Sequence, residues 1–262
     1  MIRSLRIAAL GMAAQQLNVD TISNNLANVN TTGYKKNAIE FQDLLYENIE
    51  VGSDNSREEK APTGTIQVGL GNKPVATFRS FSQGALTETG NSLDVAINGN
   101  GFLQVVRPDG TYAFTRAGAL NINSDGYLVN QSGLHLYPEI VIPANASSIK
   151  ISQDGVVSVI VGNETSAEEV GQIELASFIN PAGLQAIGGS LFVETDASGV
   201  PSFGNPGSEG FGSLHQGYLE KSNVDVVEEM INLIVAQRAY EVNSKSIKVS
   251  DELLAMTNNL KG

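Results

Sequence analysis

The residues best suited to chemistry are Asn121, Asn123, Asp125 and Gly126 in the stretch NINSDGYLVNQS, which imitate the opening of a calcium loop. Such a loop closes its oxygen cage with a bidentate glutamate at the twelfth position. That position holds Ser132, so a hairpin turn at Asp125-Gly126 is the better reading. Nucleotide binding fails in the same way: Gly69 and Gly71 are followed by Pro74 where the dinucleotide fingerprint needs glycine, and Gly99 and Gly101 by Gln104. No phosphate-cradling Walker loop and no G-x-S-x-G elbow occurs. His135 and His215 lie in separate segments without metal-ligand spacing, and Glu58-Glu59 and Glu168-Glu169 sit in polar, loop-like sequence that reads as solvated charge. With no cysteine there is no thiolate nucleophile or ligand. The expectation is therefore a chain with no catalytic, cofactor or metal site. An enzyme on a β scaffold stays open as the competing class.

The elements around these stretches carry the stronger signal. The chain has 262 residues and a net charge of −12, and residues 51–219 hold 7 basic and 16 acidic side chains. An acidic middle repels phosphate backbones, which argues against nucleic acid as a partner. No apolar run reaches the roughly 20 residues of a membrane helix, so no membrane insertion is expected. The N-terminus lacks a basic region followed by an apolar block and a cleavage site, so it reads as mature sequence.

Between Arg6 and Lys35 the only formal charge is Asp20, although an amphipathic helix normally carries charge along its wet side. Leu5, Met12, Val19 and Leu26 recur every seven residues, with Ala8, Ile22 and Val29 beside them, which is coiled-coil spacing. Asn18, Thr21, Asn25 and Asn28 line another face, where short amides and hydroxyls can hydrogen-bond between packed helices. Toward the C-terminus, Val226, Leu233, Tyr240, Ile247 and Leu254 form one seven-spaced row. Val235, Val242, Val249 and Met256 form another, about 200° around the helix. A helix with two apolar faces needs two partners.

The middle is rich in glycine and short alternating runs, with Asp109-Gly110, Asp125-Gly126 and Asp154-Gly155 as hairpin signals. The expected fold class is α+β: N- and C-terminal helices forming a coiled-coil-like core around a discontinuous, mainly β middle region. The pattern alone leaves open a helical hairpin packed on its own middle, a coiled-coil adaptor of fixed stoichiometry, and an open polymer built by heterologous contacts.

The stretch SNNLANVNTTGYKK resembles the N-terminal motif of the bacterial flagellar rod and hook family, and INLIVAQRAYEVNSKSI resembles its C-terminal motif. Between them, SQGALTETGNSLDVAINGNGFLQV, VGQIELASFINPAGL and QGYLEKSNVDV are similar in order and spacing to the distal rod members of that family. YENIEVGSDNSREEKAPTGTIQVGLG resembles the extra segment that distal rod subunits have and hook subunits lack. The resemblance implies a non-enzymatic, self-assembling axial subunit whose terminal helices line a hollow tube. It acts as a drive shaft carrying motor torque to the hook, and the extra segment stiffens it.

The domains implied are an axial helix over 1–32 and a connector over 33–75, with the extra segment at about 46–71. An outer β domain over 76–200, a return connector over 201–222 and a second axial helix over 223–262 follow. Subunit contacts are expected at Leu5, Met12, Val19, Ile22, Asn25, Leu26, Asn28 and Val29, and at Met230, Leu233, Tyr240, Val242, Ile247, Val249 and Leu254. Gly33 is expected to supply the left-handed backbone of a helix terminus. The implied partners are copies of itself in a helical tubular polymer, proximal rod proteins, the hook protein, the surrounding ring bushing proteins and the flagellar export apparatus. The implied place is the basal-body rod within the periplasm.

Overall fold

The computed structural model describes residues 2–50, 65–162 and 167–259. The central part of the extra segment, 51–64, with its charged run Arg57 to Lys60, lies outside the described residues. The architecture is α+β, with a helix at each end and strands between. Two compact units share the chain: one holds residues 1–25, 37–78 and 226–262, the other residues 26–36 and 79–225.

The first unit contains α1 (Ile2–Ala27), α2 (Val226–Asn259) and two antiparallel ribbons. β1 (Asn37–Asp43) pairs with β4 (Asn72–Arg79), and β2 (Tyr46–Glu50) pairs with β3 (Thr65–Gly69). α1 stops where its sequence turns to asparagine and β-branched residues, which are weak helix formers. Its end is a turn closed by Val29 N–H to the Leu26 carbonyl and Thr31 N–H to the Asn28 carbonyl. Glu228 and Glu229 stand in the first turn of α2, where the helix dipole favours negative charge. Among the described residues no helix is long and apolar enough to cross a membrane.

The second unit is all β apart from one short 3-10 turn and the tail of α1. Its main sheet runs in the order β16 (Gln185–Gly188), β17 (Leu191–Val193), β8 (Tyr112–Thr115), β7 (Phe102–Val106), β11 (His135–Tyr137), β10 (Leu128–Asn130) and β9 (Leu120–Ile122). β15 (Leu175–Ser177) also pairs with β7, and carries β18 (Ser202–Gly204) on its other side. A separate sheet joins β12 (Ala146–Ile151), β13 (Val156–Val161) and β14 (Ala167–Gln172). Two small ribbons pair β6 (Val95–Asn98) with β19 (Ser213–Gln216), and β5 (Leu86–Glu88) with β20 (Tyr218–Glu220).

The three Asp-Gly dipeptides occupy the turns of β7–β8, β9–β10 and β12–β13, and Gly110, Gly126 and Gly155 all have the positive φ that such turns require. The alternation of β13 buries Val157 and Val159 and leaves Val156 and Ser158 half-covered. Val157 and Val159 join Leu103 and Val105 of the main sheet in one apolar core. A second cluster is aromatic: Phe178 meets both Phe102 and Phe114 edge to face, and Phe81 sits edge-on to Phe102 and Phe192.

Candidate assembly interface

Within the first unit α1 and α2 run antiparallel, and their contacts repeat in steps of seven. Ser4 Oγ lies 3.4 Å from Ser250 Oγ. A Cβ added to Gly11 would come within 2.9 Å of Asn243 Nδ2. Asn25 Nδ2 donates to Glu229 Oε2 at 3.2 Å. The same step places Asn18 opposite Ala236, which is buried. Small and polar residues therefore form this seam, and small residues let two helix backbones approach closely. Arg3 forms an ion pair with Glu47, which ties β2 to the start of α1.

Large apolar side chains stand outside the seam. Of the residues expected at subunit contacts, Ile22 and Asn25 are buried, whereas Leu5, Met12, Val19, Leu26, Asn28, Val29, Leu233, Ile247 and Leu254 are half-buried. Met230, Tyr240, Val242 and Val249 are exposed, Val242 by 68%. Val227, Ile231, Ile234, Val235, Leu253 and Met256 are exposed beside them. Covering one such side chain is worth about 1.5–3 kcal/mol, so a long face of them favours association strongly. The asparagine face of α1 is legible in the sequence as a helix-packing face. Its opposite numbers Glu229, Ala236, Asn243 and Ser250, and the contributions of Ser4 and Gly11, escape a reading of apolar periodicity, although their own seven-residue spacing carries the signal.

Asn25 does a second task. Its Oδ1 accepts the Asn37 N–H at 2.9 Å, and its Nδ2 donates to the Asn37 carbonyl at 2.8 Å. The amide thus imitates a backbone partner and holds the first residue of β1.

In the second unit the remainder of the asparagine motif is anchored by buried charge. Thr31 Oγ1 donates to Asn28 Oδ1 at 3.1 Å. Gly33 has φ +67 and lies six positions past the end of α1; a Cβ there would sit 2.6 Å from the Ala117 backbone nitrogen. Only glycine accommodates both the left-handed backbone and that approach. The Gly33 N–H donates to the Glu220 carbonyl at 2.9 Å. Lys35 Nζ donates to Glu220 Oε1 at 2.6 Å and to the Ser82 carbonyl at 2.8 Å. The same carboxylate oxygen accepts Gly84 N–H at 2.9 Å, and its second oxygen faces Arg116 Nη1 at 3.5 Å. Arg116 also donates to the Gly99 carbonyl and lies over the Phe102 ring.

Burial pushes the Lys35 ammonium below its usual range, opposed by the Glu220 charge. Burial lowers Arg116 as well, again against the pull of Glu220. Asn223 adds a polar staple, accepting Lys36 N–H at 2.7 Å and donating to the Ser80 carbonyl at 2.8 Å.

The stretches with chemical residue types form ordinary structure. Asn123 Oδ1 accepts the N–H groups of Asp125 and Tyr127 and so organises its own turn. His135 stacks on Tyr127, and His215 packs near Tyr218. Among the described residues no group of three or more histidines and carboxylates is placed to hold a metal.

Three family profiles match along the chain: "Flagella basal body rod protein" over residues 5–35, "Flagellar hook protein FlgE/F/G D1 domain" over 96–159, and "Flagellar basal body rod FlgEFG protein C-terminal" over 215–260. The flagellar basal-body rod protein FlgG of Borreliella burgdorferi is 52% identical over 264 residues, covering 100% of this chain and 99% of its own. The FlgG proteins of Caulobacter vibrioides and Bacillus subtilis are 49% and 41% identical, with at least 99% of each chain covered. Two terminal helices around a β middle, with full-length similarity at this level, place the chain in one family: it belongs to the flagellar basal-body rod proteins, and it is a structural component of the rod.

Proposed function

We propose that the chain is a subunit of the distal rod and polymerises with copies of itself into an open helical tube that carries torque from the motor to the hook. The observation that carries this reading is the exposed apolar face of α2, with Val235, Val242, Val249 and Met256 seven residues apart. A single chain leaves that face wet, and a neighbouring copy covers it. Heterologous contacts of this kind propagate without closing. Stiffness then comes from many helix seams and from interlocking β units, with the extra segment around 46–71 as a brace between copies.

The chain's expected neighbours are proximal rod proteins, the hook protein and the ring bushing around the rod. Export through the flagellar apparatus delivers it to the periplasm. In the same reading, Leu5, Met12, Val19 and Leu26 of α1 and Leu233, Tyr240, Ile247 and Leu254 of α2 lie at subunit contacts. The test is electron microscopy of concentrated, purified full-length chain together with its Leu233→Lys variant. Tubes from the parent and none from the variant, at an unchanged unfolding transition of the β unit, support the reading. Tubes from both overturn the placing of Leu233 at a subunit contact, and a stable monomer at high concentration overturns polymerisation.

A further inference from the structure

The seven-residue apolar rows of α1 and α2 leave their mutual stagger undetermined, because they stand outside the seam and sliding one helix by one heptad presents the same apolar pattern again. The small and polar row is not degenerate in this way. Asn25 is held on both amide atoms by the backbone of Asn37, which leaves the remaining N–H of its Nδ2 aimed at Glu229 Oε2. Glu229 is 1% exposed, so its carboxylate depends on partners within the protein. A slip in one direction would set Glu229 against Asn18, which lacks the hold that Asn37 gives Asn25. A slip in the other would set Asn25 against Ala236.

We propose that the hydrogen bond between Asn25 and Glu229 sets the register of α1 against α2 and excludes the one-heptad slips that the apolar rows permit. Glu229 is a positioning residue in this account. A polar group at a buried seam position is a known way to select one register at some cost in stability. Because Asn25 also grips the first residue of β1, the same bond determines the height along the helix pair at which the chain leaves for its first strand. Its importance for a tube rests on the polymer reading above, since copies can repeat regularly only if every subunit has the same stagger.

The chain has no cysteine, so introduced pairs report register directly. Ser4→Cys with Ser250→Cys reads the stagger seen here, where the two hydroxyls are 3.4 Å apart. Ser4→Cys with Asn243→Cys, or with Thr257→Cys, reads the two slips. The oxidised full-length chain is run under denaturing conditions, where a disulfide within one chain changes monomer mobility and a disulfide between chains gives a dimer.

The first pair is expected to close within one chain in the parent and in Glu229→Gln, which keeps an acceptor for the Asn25 N–H. In Glu229→Ala a slipped pair is expected to gain on the native one on the order of tenfold, the factor that loss of a hydrogen bond to a charged group represents. An unchanged pattern in Glu229→Ala overturns the proposal. So does identical behaviour of the Gln and Ala variants, including a shared loss of folded chain, because Gln keeps the acceptor and the bulk that Ala lacks, and a shared outcome therefore marks the lost charge rather than the hydrogen bond. Absence of the native cross-link in the parent overturns it too. Failure of the parent to form tubes, with its native cross-link intact, rejects the polymer reading and leaves the register assignment standing.

Discussion

Lys35 Nζ lies 2.6 Å from Glu220 Oε1, and neither side chain is exposed to water although 185 positions separate them in sequence. Two crossings of the second unit, the outgoing segment 33–36 and the returning strand β20, are thereby locked together. Arg116 supplies a second cation to the same carboxylate, so Glu220 compensates two buried positive charges.

That asymmetry sets an order of effects. Glu220→Leu strands both cations and is expected to cost about 3–5 kcal/mol, the range found when one partner of a buried pair is removed. Lys35→Met leaves Glu220 with Arg116 and should cost distinctly less. Urea unfolding of the β unit, followed by circular dichroism, checks the order; equal losses would contradict it.

The pH dependence follows from the direction of the Lys35 shift. Its folded pKa lies below the usual 10.5 because burial disfavours the charged form. Between the folded value and 10.5 the unfolded chain binds more protons than the folded one, so this group makes stability rise with pH across that window. The unfolding free energy of the parent, measured against Lys35→Met, is expected to gain as pH is raised toward 10.5. A falling difference would reverse the sign.

Gly33 offers a test of backbone geometry. Gly33→Ala places a Cβ at φ +67, a conformation costing L-residues about 1–2 kcal/mol, and drives it into the Ala117 backbone. Gly33→Val should cost more than Gly33→Ala, with thermal unfolding as the measurement.

The outer face of α2 is expected to answer differently. Val242 is largely exposed in the single chain, so Val242→Lys should change the monomer's stability by about 0.5 kcal/mol or less, as surface changes do. It should nonetheless abolish rod formation. Motility in soft agar and micrographs of purified basal bodies read the second effect, and normal motility would remove Val242 from the interface.

Local features of the chain are legible in the amino-acid sequence alone. Heptad rows on both helices, the Asp-Gly hairpins and the decoy loop at Asn123 depend on residues within a few positions of one another, and their physics is short-ranged. The resemblance of NNLANVNTTGYKK to a known motif points to the family but does not say what each residue does. Lys35 and Arg116 carry no periodic signal, and nothing near them in sequence indicates Glu220 as their common partner.

By itself, then, the sequence determined which helices have two apolar faces, that the middle is β, and where its Asp-Gly hairpins turn, because periodicity and turn propensity are properties of neighbouring residues. Only the tertiary structure decided which helix face meets its own partner, since Asn25 and Glu229 are 204 positions apart and seven-spaced apolar rows fit several staggers equally well. It also decided that two lone cations share one carboxylate, because the solvent exclusion that makes such a cluster costly to break arises only when distant segments close over it.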